Sequence, residues 1–149
     1  MSLDQSYLAE NATEYAHLSS LVTRLTDEQL ARTLEAGWTV SAVLAHLAFW
    51  DQRALVLLDK WGKEGIGPSP VDTDVVNEVT RLLCLAIPPR AAAELAVACA
   101  RQVDQAIERL SPERVADIES IGTTVRLNRA HHRRDHLGEI EKALGLGRE

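Results

Sequence analysis

Apolar residues recur along this chain at intervals of three and four almost throughout, the spacing that lines one face of an α-helix. Alternating runs of β-branched residues bounded by turn residues are missing, so the pattern predicts an all-α chain. Leu8, Tyr15, Leu18, Val22 and Leu25 mark the inner stripe of a first helix from about Asp4 to Arg24. Thr26 and Gln29 then have the spacing of a capping box, in which each side chain satisfies a free amide at the start of a short helix. The chain turns at Gly37, and Thr39 caps a second long helix with Val40, Val43, Leu44, Leu47, Ala54, Leu58 and Trp61 on one face, ending at Gly62.

Gly62 to Asp72 is the one sizeable Gly/Pro-rich stretch, too short for an interdomain linker and read as a loop overhanging a pocket. Asp72 or Thr73 caps a third helix carrying Val75, Val76, Val79, Leu82, Leu83 and Ala86, which stops before Pro88 and Pro89. The fourth, from about Arg90 to Leu110, is rich in alanine and aligns Leu95, Cys99, Val103, Ile107 and Leu110. Ser111 followed by Pro112 starts a short helical turn, and a last helix from about Thr124 to Leu144 closes on Gly145. The simplest arrangement is an antiparallel four-helix bundle with short extra helices, a single domain over residues 1–149.

The net charge of -6 comes from carboxylates scattered along the chain with no sustained basic run, which argues against nucleic acid as a partner. Cys84 and Cys99 each sit in an apolar helical pattern and read as buried, reduced thiols. The first residues lack the layout of a signal peptide and no apolar run is long enough to span a bilayer, so a cytoplasmic protein acting on a small molecule is expected, with no membrane partner. A homodimer is expected as well, paired through the alanine-rich fourth helix or the first helix.

The candidate chemistry lies in NRAHHRRDHLGEIE, where His132 and His136 stand four apart and so share one face of a helix. Two imidazoles at that spacing can share a metal ion, and His46, flanking the apolar stripe of the second helix with Val43 and Trp50, is the candidate third ligand. Taken singly, each histidine is better explained by hydrogen-bonded packing than by ligation. In combination they match the way bundles build metal sites from facing helices. His131 and Asp135 have the same spacing, so His46, His131 and Asp135 form a rival ligand set. Asp51, Asp135 and Glu139 are candidates to orient ligands or move protons, Arg53 to meet an anionic substrate. Trp50 reads as core rather than as a substrate wall, and His17 has no assigned part.

Trp38-Thr39-Val40 followed by Ala45-His46-Leu47, and His132 with His136 ahead of Leu137-Gly138-Glu139-Ile140, resemble the DinB/YfiT-like superfamily of four-helix-bundle metal proteins, related to the N-terminal domains of mycothiol-dependent maleylpyruvate isomerases. The resemblance spans nearly the whole chain. It implies that His46, His132 and His136 hold a divalent metal, zinc or nickel, and it favours this set over the rival. It also implies a metal-dependent transferase or hydrolase that activates a thiol or water, with a low-molecular-weight thiol such as mycothiol or bacillithiol as one possible cosubstrate. The alternative from another class is a non-catalytic bundle that binds a small molecule or serves a stress response.

Overall fold

The computed structural model describes residues 4–122 and 126–147. Its helices are α1 (Ser6–Arg24), α2 (Asp27–Leu30), α3 (Val40–Glu64), α4 (Thr73–Ala86), α5 (Pro89–Glu108), α6 (Pro112–Ser120) and α7 (Ala130–Leu144), with one turn of 3-10 helix at Glu35–Gly37. No strand occurs among the described residues, as the helical periodicity requires.

The starts of α2, α3, α4 and α6 are set by side chains that satisfy otherwise unpaired amides. Thr26 and Gln29 form both bonds of the capping box, at 3.1 and 2.9 Å. Thr39 Oγ1 accepts from Ala42 N at 3.1 Å, Asp72 Oδ1 from Val75 N at 3.2 Å, and Ser111 Oγ from Arg114 N at 3.2 Å. Two boundaries differ from expectation. Gly62 lies inside α3, which continues to Glu64 and is closed by Gly65 at φ +93°, because a glycine with helical dihedrals does not by itself break a helix held by tertiary packing. The last helix begins at Ala130, and Thr124, where it was expected to start, lies outside the described residues.

Helices α1, α3, α5 and α7 form the bundle, with α1 and α3 each touching both α5 and α7. Arg90 on α5 donates to the carbonyls of Val22 and Leu25 while Arg133 bridges Asn11 and Asp104, so α1 and α5 run antiparallel. Helices α3 and α7 are antiparallel as well. Helices α3 and α5 run parallel, because α4 carries the chain back along the outside of α3 before α5 begins.

Two apolar clusters fill the bundle, one around Leu18, Leu44, Leu47, Ala96, Leu137 and Ile140, the other around Leu57, Trp61, Val103, Ile107, Val115 and Ile118. Between them lies a polar layer centred on Arg133, which is fully buried and donates to Asp104 at 2.8 and 2.9 Å, to Asp51 at 3.3 Å and to the carbonyl of Asn11 at 3.2 Å. Cys84 and Cys99 are buried and unpaired, and burial pushes both thiols above their ordinary proton affinity.

In α5 Cys99, Val103 and Ile107 are buried as their spacing implied, but the stripe departs from it at one edge, and the stripe of α4 faces outward altogether. Ala92, Ala93, Ala96 and Ala100 of α5 are buried inside the bundle, and Leu95 points outward. Helix α4 turns Thr80 and Cys84 inward and leaves Val75, Val79, Leu82 and Leu83 exposed by 55–69 %. Periodicity locates an apolar face but does not say what covers it. No helix of the described residues is long and apolar enough to cross a membrane.

Candidate metal centre

His46 sits in the second turn of α3, and His132 and His136 one turn apart on α7 face it across the antiparallel seam. The Nε2 atoms of His46 and His132 approach to 3.0 Å, and a ligand nitrogen from each of the three histidines lies within 4.8 Å of the other two. Their ring centroids are 4.8–5.0 Å apart, and Trp38 packs edge-on against His46 at 5.5 Å. Among the described residues this is the one group of three side chains with metal-ligating atoms in such proximity.

Several features test whether the triad suits a cation. Two nitrogens bound at 2.0–2.1 Å to one tetrahedral ion stand about 3.3 Å apart, close to the observed His46–His132 separation. Burial first, then the neighbouring His136, lowers the pKa of His46 to about 4. Burial, followed by His136, His46, Arg129 and Arg133, lowers that of His132 to about 3. Both rings are therefore neutral at physiological pH, the state in which imidazole ligates. His46 Nδ1 is buried without a hydrogen-bond partner. His136 Nδ1 lies 3.4 Å from Glu139 Oε1 but is not aligned to bond with it. The donor set of three imidazole nitrogens fits a divalent ion of borderline softness.

What fixes α7 against α3 is the polar layer. Asp51, one turn beyond His46, accepts from Arg129 Nε at 2.9 Å and from Arg133 Nη2 at 3.3 Å. It is thus engaged by arginines rather than by the histidine rings it was expected to orient. Asp104 raises the proton affinity of Arg133 by hydrogen bonding, against the opposing effect of burial. His131 and Asp135 are exposed at the rim, His131 Nδ1 lying 3.4 Å from Arg134 Nη1, so the geometry does not bring the rival set together. Arg53 donates to Ser69 O and Oγ at 2.9 and 3.2 Å and covers the Trp50 ring at 5.8 Å.

The triad opens into a groove of about 1210 Å³ between α3, α7, the start of α4 and the turn that precedes α3. Trp50 lines it instead of entering the core, its Nε1 donating to Asn77 Oδ1 at 2.9 Å. The Gly62–Asp72 loop does not line it, and Thr73 and Asn77 border it instead. On the far side the turn is held by Leu34 N to Trp38 O at 2.7 Å and Val40 N to Arg32 O at 3.0 Å, with Ala36 at φ 56° and Gly37 at φ +80°. His17 does not line the groove; it is buried and bonds Glu141 Oε1 at 3.0 Å. Sequence reasoning passed over Arg129 and Arg133, the latter because the run HHRRDH reads as a mixed-charge solvated face; the counter-signal was that Arg133 is four residues from Leu137 on the inward side of the helix.

No curated protein and no solved structure matches the chain. Residues 11–140 match the family described as the DinB superfamily, a span that takes in α3, most of α7 and all three histidines. The order of helices, the triad and this match agree, and the chain belongs to the DinB superfamily.

Proposed function

We propose that the chain holds a divalent metal, zinc or nickel, on His46, His132 and His136 and uses it to activate a thiol or a water in the groove, as a thiol-dependent S-transferase or a hydrolase. The observation that carries this reading is the convergence of three imidazole nitrogens within 4.8 Å at the floor of an open groove. Such a metal, bound by three protein ligands, leaves a position for a reactant and lowers the pKa of bound water or thiol towards neutrality. The chain's own part is to keep His46 and His132 neutral by burial, to lock α7 to α3 through Arg133, and to offer Glu139, beside His136, as a proton carrier at the rim.

The test is titration of stripped protein with zinc and nickel, then a screen of electrophiles with several cellular thiols and with water alone. Metal uptake with turnover supports the reading. Uptake without turnover leaves the non-catalytic binder, and failure of the wild type to bind more tightly than a triple histidine variant removes the site.

A homodimer is part of this proposal, with α4 as the seam in place of the alanine-rich α5 or α1 expected from sequence, since the α5 alanines are buried inside the bundle. Val75, Val79, Leu82 and Ala86 repeat at the spacing that lines a two-helix contact, and they stand outside the bundle. Sedimentation equilibrium should show a dimer that Leu82→Glu converts to monomer; a wild type that stays monomeric across micromolar concentrations removes the idea.

A further inference from the structure

The two ends of the groove differ in charge, and the difference bears on the substrate. We infer that the groove takes a small organic carboxylate, its carboxylate held by Arg126 and Arg129 and its apolar body laid against Trp50. The inference deepens the proposed function by naming the substrate class, and rests on it for the chemistry.

Arg129 is oriented by two bonds, Nε to Asp51 Oδ1 at 2.9 Å and Nη1 to the Arg126 carbonyl at 3.3 Å. Its Nη2 has no hydrogen-bond partner among the described residues, and the side chain is only 11 % exposed. Arg126, which lines the same end, has no ion-pair partner among them. Arg53 adds a third positive charge close enough that Arg129 lowers its proton affinity, after the larger effect of burial. The carboxylates nearby offset this field only in part, since Asp51, paired with Arg129, is shared with Arg133. Asp135 stands exposed on the rim with no ion pair to either groove arginine.

The neighbouring triad contributes no negative charge, since its ligands are imidazoles. A part-buried guanidinium with open donors is best satisfied by a planar oxyanion. A carboxylate fits better than a phosphate because the helix N-termini that bind phosphate are already filled. Ala130 N is bonded by Asn11 and Asn128 at 3.0 and 2.9 Å, His131 N by Asn128 at 3.3 Å, and Val75 N by Asp72. Trp50 supplies the apolar wall, its indole fixed by Asn77, by Phe49 at 5.1 Å and by Arg53.

The experiment is calorimetric titration at low salt of zinc-loaded and stripped protein with benzoate, benzamide and inorganic phosphate. Benzoate should bind at least about tenfold more tightly than benzamide in both forms, the scale of a charge-assisted pair. Arg126→Gln, a change on an exposed segment, should cut that preference at least roughly threefold, and the double variant with Arg129→Gln should abolish it without loss of zinc. Trp50→Ala should weaken benzoate and benzamide alike. Equal binding of the two, phosphate binding above benzoate, or a preference that survives the double variant would overturn the inference. If the stripped protein takes up no zinc yet keeps an arginine-dependent preference for benzoate, the metal reading falls and the carboxylate subsite stands.

Discussion

Against α5, helix α3 presents Leu44, Leu47, Ala48, Leu57 and Leu58 to a row of buried alanines and Val103; against α7 it presents His46 and Asp51 to His132, His136, Arg129 and Arg133. The first seam runs nearly the length of both helices and the second is short. Small residues let helix axes approach closely and exclude water along the whole contact. Imidazoles and guanidinium groups need partners and room, so the α3–α7 seam is closed at one depth by ion pairs and stays open beside it as the groove. One helix thus supplies stability on one side and chemistry on the other.

The largest effect is expected where the open seam is pinned. Arg133→Ala leaves the part-buried Asp104 without its cation and the buried Asp51 with Arg129 alone, and should destabilise the protein by about 3–5 kcal/mol in urea unfolding. Zinc affinity should fall with it, because His132 and His136 lose their register on His46. Stability within about 1 kcal/mol of wild type would show that the polar layer does not hold α7.

Removing a ligand should separate function from stability. His46→Ala or His132→Ala is expected to lower zinc affinity by at least roughly a hundredfold, at or beyond the upper end of what loss of an outer-shell partner causes. Folding of the stripped protein should change little, and His131→Ala should do neither. If His131→Ala is instead the crippling change, the rival ligand set is the right one.

The closed seam gives the reverse pattern. Ala96→Leu, at a position 1 % exposed, forces extra volume between α3 and α5 and should cost about 1–3 kcal/mol while zinc binding stays intact. Coupled loss of zinc affinity would mean that the two seams are not independent.

The smallest and most graded effect concerns protons. Unfolded, each histidine titrates near 6.5; folded, His46 does so at about 4 and His132 at about 3. The unfolded chain therefore binds more protons below 6.5, and stripped protein should lose stability as pH falls from 6.5 towards 3. Melting temperatures of wild type and a His46→Gln, His132→Gln variant should diverge in that window, the variant falling less. Parallel curves would remove the assignment. In the folded protein, proton competition for these two ligands also begins well below the ordinary histidine value expected from sequence.

Helix positions and caps were legible because they depend on local pattern: Thr26 with Gln29, Thr39 and Ser111 cap where their spacing requires. The facing of His46 towards His132 and His136 was anticipated from helical spacing and family resemblance, and the three do converge. Trp50, Arg129 and Arg133 were not legible. Whether an indole enters a core or walls a groove, and whether an arginine is solvated or buried, depends on which helix stands opposite, and spacing along one helix carries no such information.

By itself, then, the order of residues determined the helices, their inward stripes in α1 and α3, and the candidate ligands, since each follows from interactions within a turn or two of chain. The tertiary structure alone decided that α5 buries its alanines, that α4 leaves its valines and leucines outside, and that α3 and α7 part beside the triad. Those outcomes arise from competition among faces for a limited interior, and the face that wins is set by the shape and charge of its neighbours, here the alanine row of α5 and the buried Arg133 of α7.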